Sequence, residues 1–252
     1  MKVKALLAAA LIAAFTATGC GSKSGGSSSS EYDTIAGTSV ESEEETSQET
    51  AEKSSAELHT ATRADDIGLD TSQSIFEKDY AGIPDADEGP LLKISNTTAK
   101  AGETAEVTIS VENAEGRWDM CGIHIAYPDE LECVMEPDAE NEPEYETGAA
   151  VKKAQATVAR KWSSTKPDDL KKQGRGAVFF TAVCPENQGR DGDIVTFRFK
   201  VPADAPSGKV YDICFYYSSN EYTKDLFSGS GCEPSFEKYA FSHCTAGTVT
   251  VE

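Results

Sequence analysis

The chain has 252 residues, 43 acidic against 23 basic, for a net charge of −20 at pH 7 and a pI near 4.5. So acidic a balance argues against a nucleic-acid partner, whose phosphates reward Lys and Arg. Only 38% of the residues are hydrophobic, so a packed core must be concentrated in part of the chain and the remainder left solvated.

The chain opens with a basic tetrapeptide, Met1-Lys-Val-Lys4, followed by apolar residues from Ala5 to Phe15 and by Thr16-Ala-Thr-Gly-Cys20. An apolar run this short falls below the ~20 residues that span a bilayer, so it reads as a signal sequence. Its small-small-Gly-Cys ending resembles the lipobox of bacterial lipoproteins, with Ala17 where Leu is most usual. In that family the cysteine is acylated and becomes the first mature residue. The resemblance implies a signal peptide over 1–19, export, and attachment to the membrane through lipid on Cys20, at the extracellular face of the cell membrane.

Residues 20–64 read as a disordered stalk. Positions 21–64 hold eleven serines, nine acidic residues, three basic residues and one aromatic, Tyr32. Such a composition buries too little apolar surface to offset its ordering entropy. As a coil it reaches roughly 35–40 Å, extended further by repulsion within Glu43-Glu-Glu45. Residues 65–88 form a transition segment in which Ile67, Leu69, Ile75, Phe76 and Tyr80 bring the first apolar groups, as a short helix or strap docked on the domain. The acidic turn Asp85–Gly89 has its glycine one position early for a calcium loop, and Asn96 stands where a bidentate Glu is required. No metal is expected there.

From residue 89 to 252 the pattern is that of one globular domain with strand periodicity. Ala105, Val107, Ile109 and Val111 share one face, as do Cys121, Ile123, Ile125 and Tyr127. Ala177 to Val183 is nearly continuous apolar sequence. Val195, Phe197, Phe199 and Val201 alternate, then Ile213, Phe215 and Tyr217, and Gly247-Thr-Val-Thr-Val251 comes near the end. Turn signals at Ala101-Gly102, Pro128-Asp129, Asp191-Gly192 and Pro206-Ser-Gly208 separate the runs. Short strands with regular turns and no alternating helices predict an all-β fold, an antiparallel β-sandwich.

The segment 136–175 breaks the pattern. Val151, Ala154, Val158 and Trp162 suit one stripe of a short helix, while Ala156, Val158, Arg160 and Trp162 equally suit a strand. Residues 150–175 carry eight basic and two acidic residues, which describes either a solvated face that balances local acid or a docking surface for an acidic partner.

Catalytic signatures are absent from the sequence. The three histidines, His59, His124 and His243, form no His-x-x-x-His pair, and no nucleophile elbow or glycine-rich phosphate loop occurs. His124 reads as a solvent-facing strand residue rather than a base. The chain is therefore expected to be no enzyme and to need no cofactor. Apart from Cys20, six cysteines remain: Cys121, Cys133, Cys184, Cys214, Cys232 and Cys244. No Cys-x-x-Cys pair favours zinc. Cys232 and Cys244 bracket eleven residues before the last strand, and closing that loop would be worth ~3 kcal/mol, so these two are expected to pair under oxidising maturation. Cys121, beside inward Ile123 and Ile125, suits a buried apolar thiol.

The domain resembles a cohesin, the module by which cellulosome scaffoldins and surface anchors bind dockerins. The resemblance rests on Ile94-Ser95, Ala101-Gly102-Glu103-Thr104, Val107–Val111, Gly122-Ile-His-Ile-Ala-Tyr-Pro-Asp-Glu-Leu131-Glu132, Gly192-Asp193-Ile194, Thr196-Phe-Arg-Phe-Lys-Val201, Asp204-Ala-Pro-Ser-Gly208 and Gly247–Val251. It implies a jelly-roll sandwich whose partner is a calcium-loaded dockerin on a polysaccharide-degrading enzyme or a scaffoldin, the calcium belonging to the dockerin. The family's docking sheet places Met120, Gly122, His124 and Ala126 of one strand and Phe179, Thr181 and Val183 of another at the interface. Lys152, Lys153, Arg160 and Lys161 would serve as its rim. One cohesin class carries Asn and Asp at the positions of Met120 and Gly122, so those polar contacts are absent. Carbohydrate-binding modules share this sandwich, and a glycan-binding surface lipoprotein is the alternative, with Trp118 and Trp162 as the indoles available for sugar stacking.

Replacing Cys20 by Ala removes the only thiol at the lipobox. The variant is expected in the culture medium, whereas the parent stays with membranes through its two or three acyl chains. Fractionation and immunoblotting measure this, and equal membrane retention of both forms would contradict the anchor.

Overall fold

A computed structural model describes residues 70–162 and 166–252. The signal peptide, Cys20, the stalk and positions 65–69 of the transition segment lie outside the described residues. Among those described, no helix is long and apolar enough to cross a membrane.

Period-two alternation builds two facing sheets. In the first, β1 (Leu91–Ile94), β3 (Thr104–Glu112) and β9 (Gly192–Lys200) lie side by side. The short strands β5 (Glu132–Cys133) and β6 (Tyr145–Thr147) share the other edge of β9. The second sheet runs β2 (Asn96–Ala99), β12 (Gly247–Val251), β10 (Val210–Phe215), β4 (Met120–Pro128), β8 (Arg175–Val183) and β7 (Ala156–Lys161). There β11 (Leu226–Ser228) continues the line of β10 along β4. The chain changes sheet at Ser95, whose N–H donates to the Thr108 carbonyl while its Oγ accepts the Thr108 N–H, each at 2.9 Å. The sandwich is the expected one with one difference. β2 runs parallel to β12, because the chain enters the second sheet from that crossover; the other ladders between named strands are antiparallel.

The inward sets are those the alternation marked. Val107, Ile109 and Val111 face Val195, Phe197 and Phe199 within their sheet, and Cys121, Ile123, Ile125 and Tyr127 meet them from the other; all are buried. Strand β8 is buried on both faces from Arg175 to Phe180, which accounts for its nearly continuous apolar sequence. Within 136–175 the strand reading holds for Ala156–Lys161, preceded by a single 3-10 turn at Ala149–Val151. A short helix does occur in this segment, as α2 (Asp168–Lys172) with Leu170 buried.

Two further helices complete the domain. In α1 (Asp70–Asp79), Ser72 Oγ accepts the Tyr217 N–H at 2.7 Å and donates to the Tyr217 carbonyl at 3.1 Å. The rings of Phe76 and Tyr80 pack on Tyr217 with centroids 5.4 and 5.7 Å away, and Tyr80 donates to Glu237 at 2.8 Å. The transition segment thus supplies core side chains. Helix α3 (Pro234–Ser242) lies between Cys232 and Cys244, with Pro at its start. Nine helical residues rise about 13 Å, beyond the ~7 Å Cα separation a disulfide tolerates. The expected Cys232–Cys244 bond is therefore absent. The Cys232 thiol donates to the Arg117 carbonyl at 2.7 Å and that of Cys244 to the Phe241 carbonyl at 3.5 Å. Burial pushes the Cys121 and Cys133 thiols up to about 12 and Cys214 to about 11, which keeps them protonated and inert at neutral pH.

Because Phe76 is buried among Tyr80, Tyr217 and the main core, Phe76→Ala is expected to destabilise the domain by about 3 kcal/mol. Denaturant unfolding checks this, and a loss below about 1 kcal/mol would show that α1 is not part of the core.

Candidate partner-binding face

The outward side of the second sheet is laid out in rows by its register. Ser228, Met120, Val183 and Ala156 form one row across β11, β4, β8 and β7. Leu226, Gly122, Thr181 and Val158 form the next, then His124, Phe179 and Arg160. In the fourth, Cys214, Ala126 and Ala177 lead to Trp162, whose N–H donates to the Ala177 carbonyl at 3.1 Å.

The chain itself covers the lower rows. Leu170 of α2 sits fully buried with Ala126, Ala177, Cys214 and Tyr216 in a small apolar cluster separate from the main core, with Trp162 packed against it. The Tyr216 hydroxyl donates to the Asp169 carboxylate at 3.0 Å, and the Arg175 guanidinium turns inward to the Asp212 and Ala126 carbonyls at 2.6 and 3.2 Å. The His124 ring lies between Trp162 and Phe179, with centroids 4.3 and 4.5 Å away. Its Nδ1 meets Asp225 Oδ2 at 2.8 Å, and its side chain is 0% exposed. Asp225 also accepts the backbone N–H groups of His124 and Ser218, each at 2.7 Å. Burial pushes its carboxyl above the usual carboxylate range, opposed by the imidazole and these two amides.

These contacts correct four expectations. His124 does point outward, yet it is buried because the segment 216–225 and Trp162 lie over it. Phe179 is 5% exposed beside it, so a charge there would disrupt folding before it disturbed a partner. Ala126 is roofed by α2. Gly122 is roofed by the Lys224 carbonyl, which a Cβ at that position would strike. What remains open is the upper pair of rows, where Met120, Thr181, Val183, Leu226 and Ser228 are half-buried and Ala156 is exposed. Val158, 39% exposed, is one of three large hydrophobic side chains exposed among the described residues.

The basic residues divide in the same way. Lys152 and Lys153 are exposed beside this strip, and Lys153 donates to Gln188 at 2.6 Å. Arg160 is paired with Glu142 at 2.5 Å, Lys166 with Asp129 at 2.8 Å and Lys171 with Asp168 at 3.2 Å. Lys161 is half-buried on the edge strand. Three of the eight basic residues counted in sequence are thus already matched by acid within the domain. The arrangement is an apolar strip on a rigid sheet, with the Lys152 and Lys153 ammonium groups making no ion pair among the described residues.

The family model for the cohesin domain matches residues 91–224, more than half of the chain. The chain belongs to the cohesin family. Among solved structures it is similar to a type III cohesin module from the cellulosomal cell-surface anchoring scaffoldin ScaE of Ruminococcus flavefaciens, with 23% identity, TM-score 0.54 and coverage of 66% of this chain and 89% of that one. It also matches the third cohesin of ScaC from Acetivibrio cellulolyticus, solved with the ScaB dockerin, at 17% identity and TM-score 0.46 over 64% and 98% of the two chains. A seventh ScaB type I cohesin from Pseudobacteroides cellulosolvens gives 19% identity and TM-score 0.46 over 65% and 92%. No curated protein sequence matches. The cohesin domain here thus has a family fold on which half of one sheet face is closed by its own loops. The family resemblance pointed to that face and strand alternation to the outward residues of β4; small outward residues at Gly122 and Ala126 were the one hint of its cover.

Gly122→Ala tests the cover. Its Cβ would meet the Lys224 carbonyl and the Phe179 ring, so β11 must shift, with an expected loss of about 1–3 kcal/mol. Thermal unfolding measures it, and an unchanged Tm would show that β11 yields freely.

Proposed function

We propose that the chain is a surface lipoprotein, anchored at Cys20, whose cohesin domain binds a calcium-loaded dockerin and so attaches a polysaccharide-degrading enzyme or scaffoldin to the cell. Membership of the cohesin family supports a protein-binding, non-catalytic role. The observation that carries the reading is the open apolar strip of Met120, Thr181, Val183, Ala156, Val158 and Leu226, which lies on one rigid sheet and is flanked by Lys152 and Lys153. A few desolvated apolar anchors supply most interface energy, and charges beside them mainly accelerate encounter. The docking centre is accordingly displaced from His124, Ala126 and Phe179 toward the ends of β4 and β8. Glycan binding has less support. Trp118 is fully buried against Phe227, and one side of Trp162 is occupied by His124.

Calorimetry of the full chain against calcium-loaded dockerins encoded in the same genome, and against soluble polysaccharides, tests the reading. Binding to a dockerin is expected, with Val158→Asp weakening it by about 2 kcal/mol or more at unchanged Tm. Charge reversal at Lys152 and Lys153 should slow association and flatten its salt dependence. A response to glycans with none to dockerins would transfer the domain to carbohydrate binding.

A further inference from the structure

The loop 218–225 stands beside the open strip and is ordered by more bonds than its length requires. Within it, Asn220 N–H donates to Ser218 Oγ at 3.3 Å, Tyr222 N–H to Asn220 Oδ1 at 3.0 Å and Thr223 N–H to the Asn220 carbonyl at 3.2 Å. Asp225 N–H closes it on the Ser218 carbonyl at 2.8 Å. Its base is fixed to the sheet. The Asp225 carboxylate joins the amides at both ends of the loop's footing, Ser218 and His124, and takes His124 Nδ1 as well. Its last residues then run alongside β4, where Lys224 lies over Gly122 and Leu226 pairs with it.

At the tip of this arm stands Tyr222, 86% exposed, the most exposed large hydrophobic side chain among the described residues. Water gives an aromatic ring no reason to be held out on a loop that five of its own backbone N–H groups tie down. An isolated exposed ring on a mobile loop would be unremarkable, but a preorganised one loses little conformational entropy when a partner covers it, and Tyr is enriched among binding anchors for that reason.

We infer that Tyr222 is a specificity-determining contact of the docking face, carried on an arm that Asp225 and His124 hold in position. This rests on the dockerin-binding reading and adds to it a second point of contact, on the loop that leads into β11. The complementary feature on the dockerin is an apolar recess with a hydrogen-bond acceptor at its floor for the phenol. Asp225 and His124 act as positioning residues; they touch no partner.

The test uses the full chain and the same panel of calcium-loaded dockerins. Tyr222→Ala is expected to weaken binding at least tenfold with unchanged Tm, while Tyr222→Phe retains most of the affinity and loses part of the discrimination between dockerins. Asp225→Leu alone leaves the imidazole without its partner and lowers Tm. The double change Asp225→Leu with His124→Phe removes the stranded imidazole as well and should recover part of that Tm. It leaves the Ser218 and His124 amides without their acceptor, so their hydrogen exchange stays accelerated and affinity stays low. A simply structural pair would recover affinity together with Tm, which would overturn the positioning role. If Val158→Asp abolishes binding while Tyr222→Ala binds as the parent does, the arm is not a contact and the docking reading stands. If the parent binds no dockerin, both fail.

Discussion

One buried carboxylate organises the outer side of the second sheet. Asp225 sits where neither oxygen reaches water, and an isolated charge there would be strongly unfavourable. Two backbone amides and an imidazole nitrogen make the position tenable, and satisfying it dictates the rest. Ser218 must come back to the same point as Asp225, so the intervening residues close into a compact loop. His124 must lie flat beneath it, which brings Trp162 and Phe179 onto its two sides. The remaining ring nitrogen, Nε2, has no hydrogen-bond partner among the described residues, a cost of about 1–3 kcal/mol that the other bonds of the assembly offset.

The two outer faces of the sandwich make an instructive contrast. On the first sheet, Arg198 of β9 reaches Glu106 of β3 at 3.1 Å, Glu144 at 2.5 Å and Glu146 of β6 at 3.5 Å, and hydrogen bonds to Glu106 and Glu144 raise its pKa further. Such exposed pairs contribute little stability, but they keep that face charged and hydrated. The second sheet shows alanine, valine, methionine and threonine outward instead, half of them closed over by α2 and the loop to β11. A face that is apolar in sequence and only half covered in the fold is the one suited to a partner.

Legibility in the sequence followed the physics of each element. Strand alternation is written residue by residue, so the inward sets of β3, β4, β9 and β10 were readable, and so was the face on which Met120 and Val183 lie. Alternation says which way a side chain points and nothing of what lies over it. The burial of His124 depends on Asp225, about a hundred residues away, and that ring in turn packs on Phe179. Helix α3 was hidden by the cysteines that flank it, although Pro234 in first position and Phe236 four residues before Ala240 are helical signals. In 136–175 the two periodicities competed, and the strand prevailed because Ala156–Lys161 gains a ladder along β8 that an isolated helix would lack.

Among the described elements α1 stands first in the chain, and it is tied to the second sheet. Ser72 of α1 is the earliest described residue whose side chain is bonded to a distant part of the domain. Its two hydrogen bonds to Tyr217 lie one residue beyond Tyr216, which is tied to Asp169 of α2, and three beyond Cys214, which pairs with Ala126. The helix is thereby coupled to the sheet that carries the strip, and a displacement of α1 reaches that sheet through Tyr217.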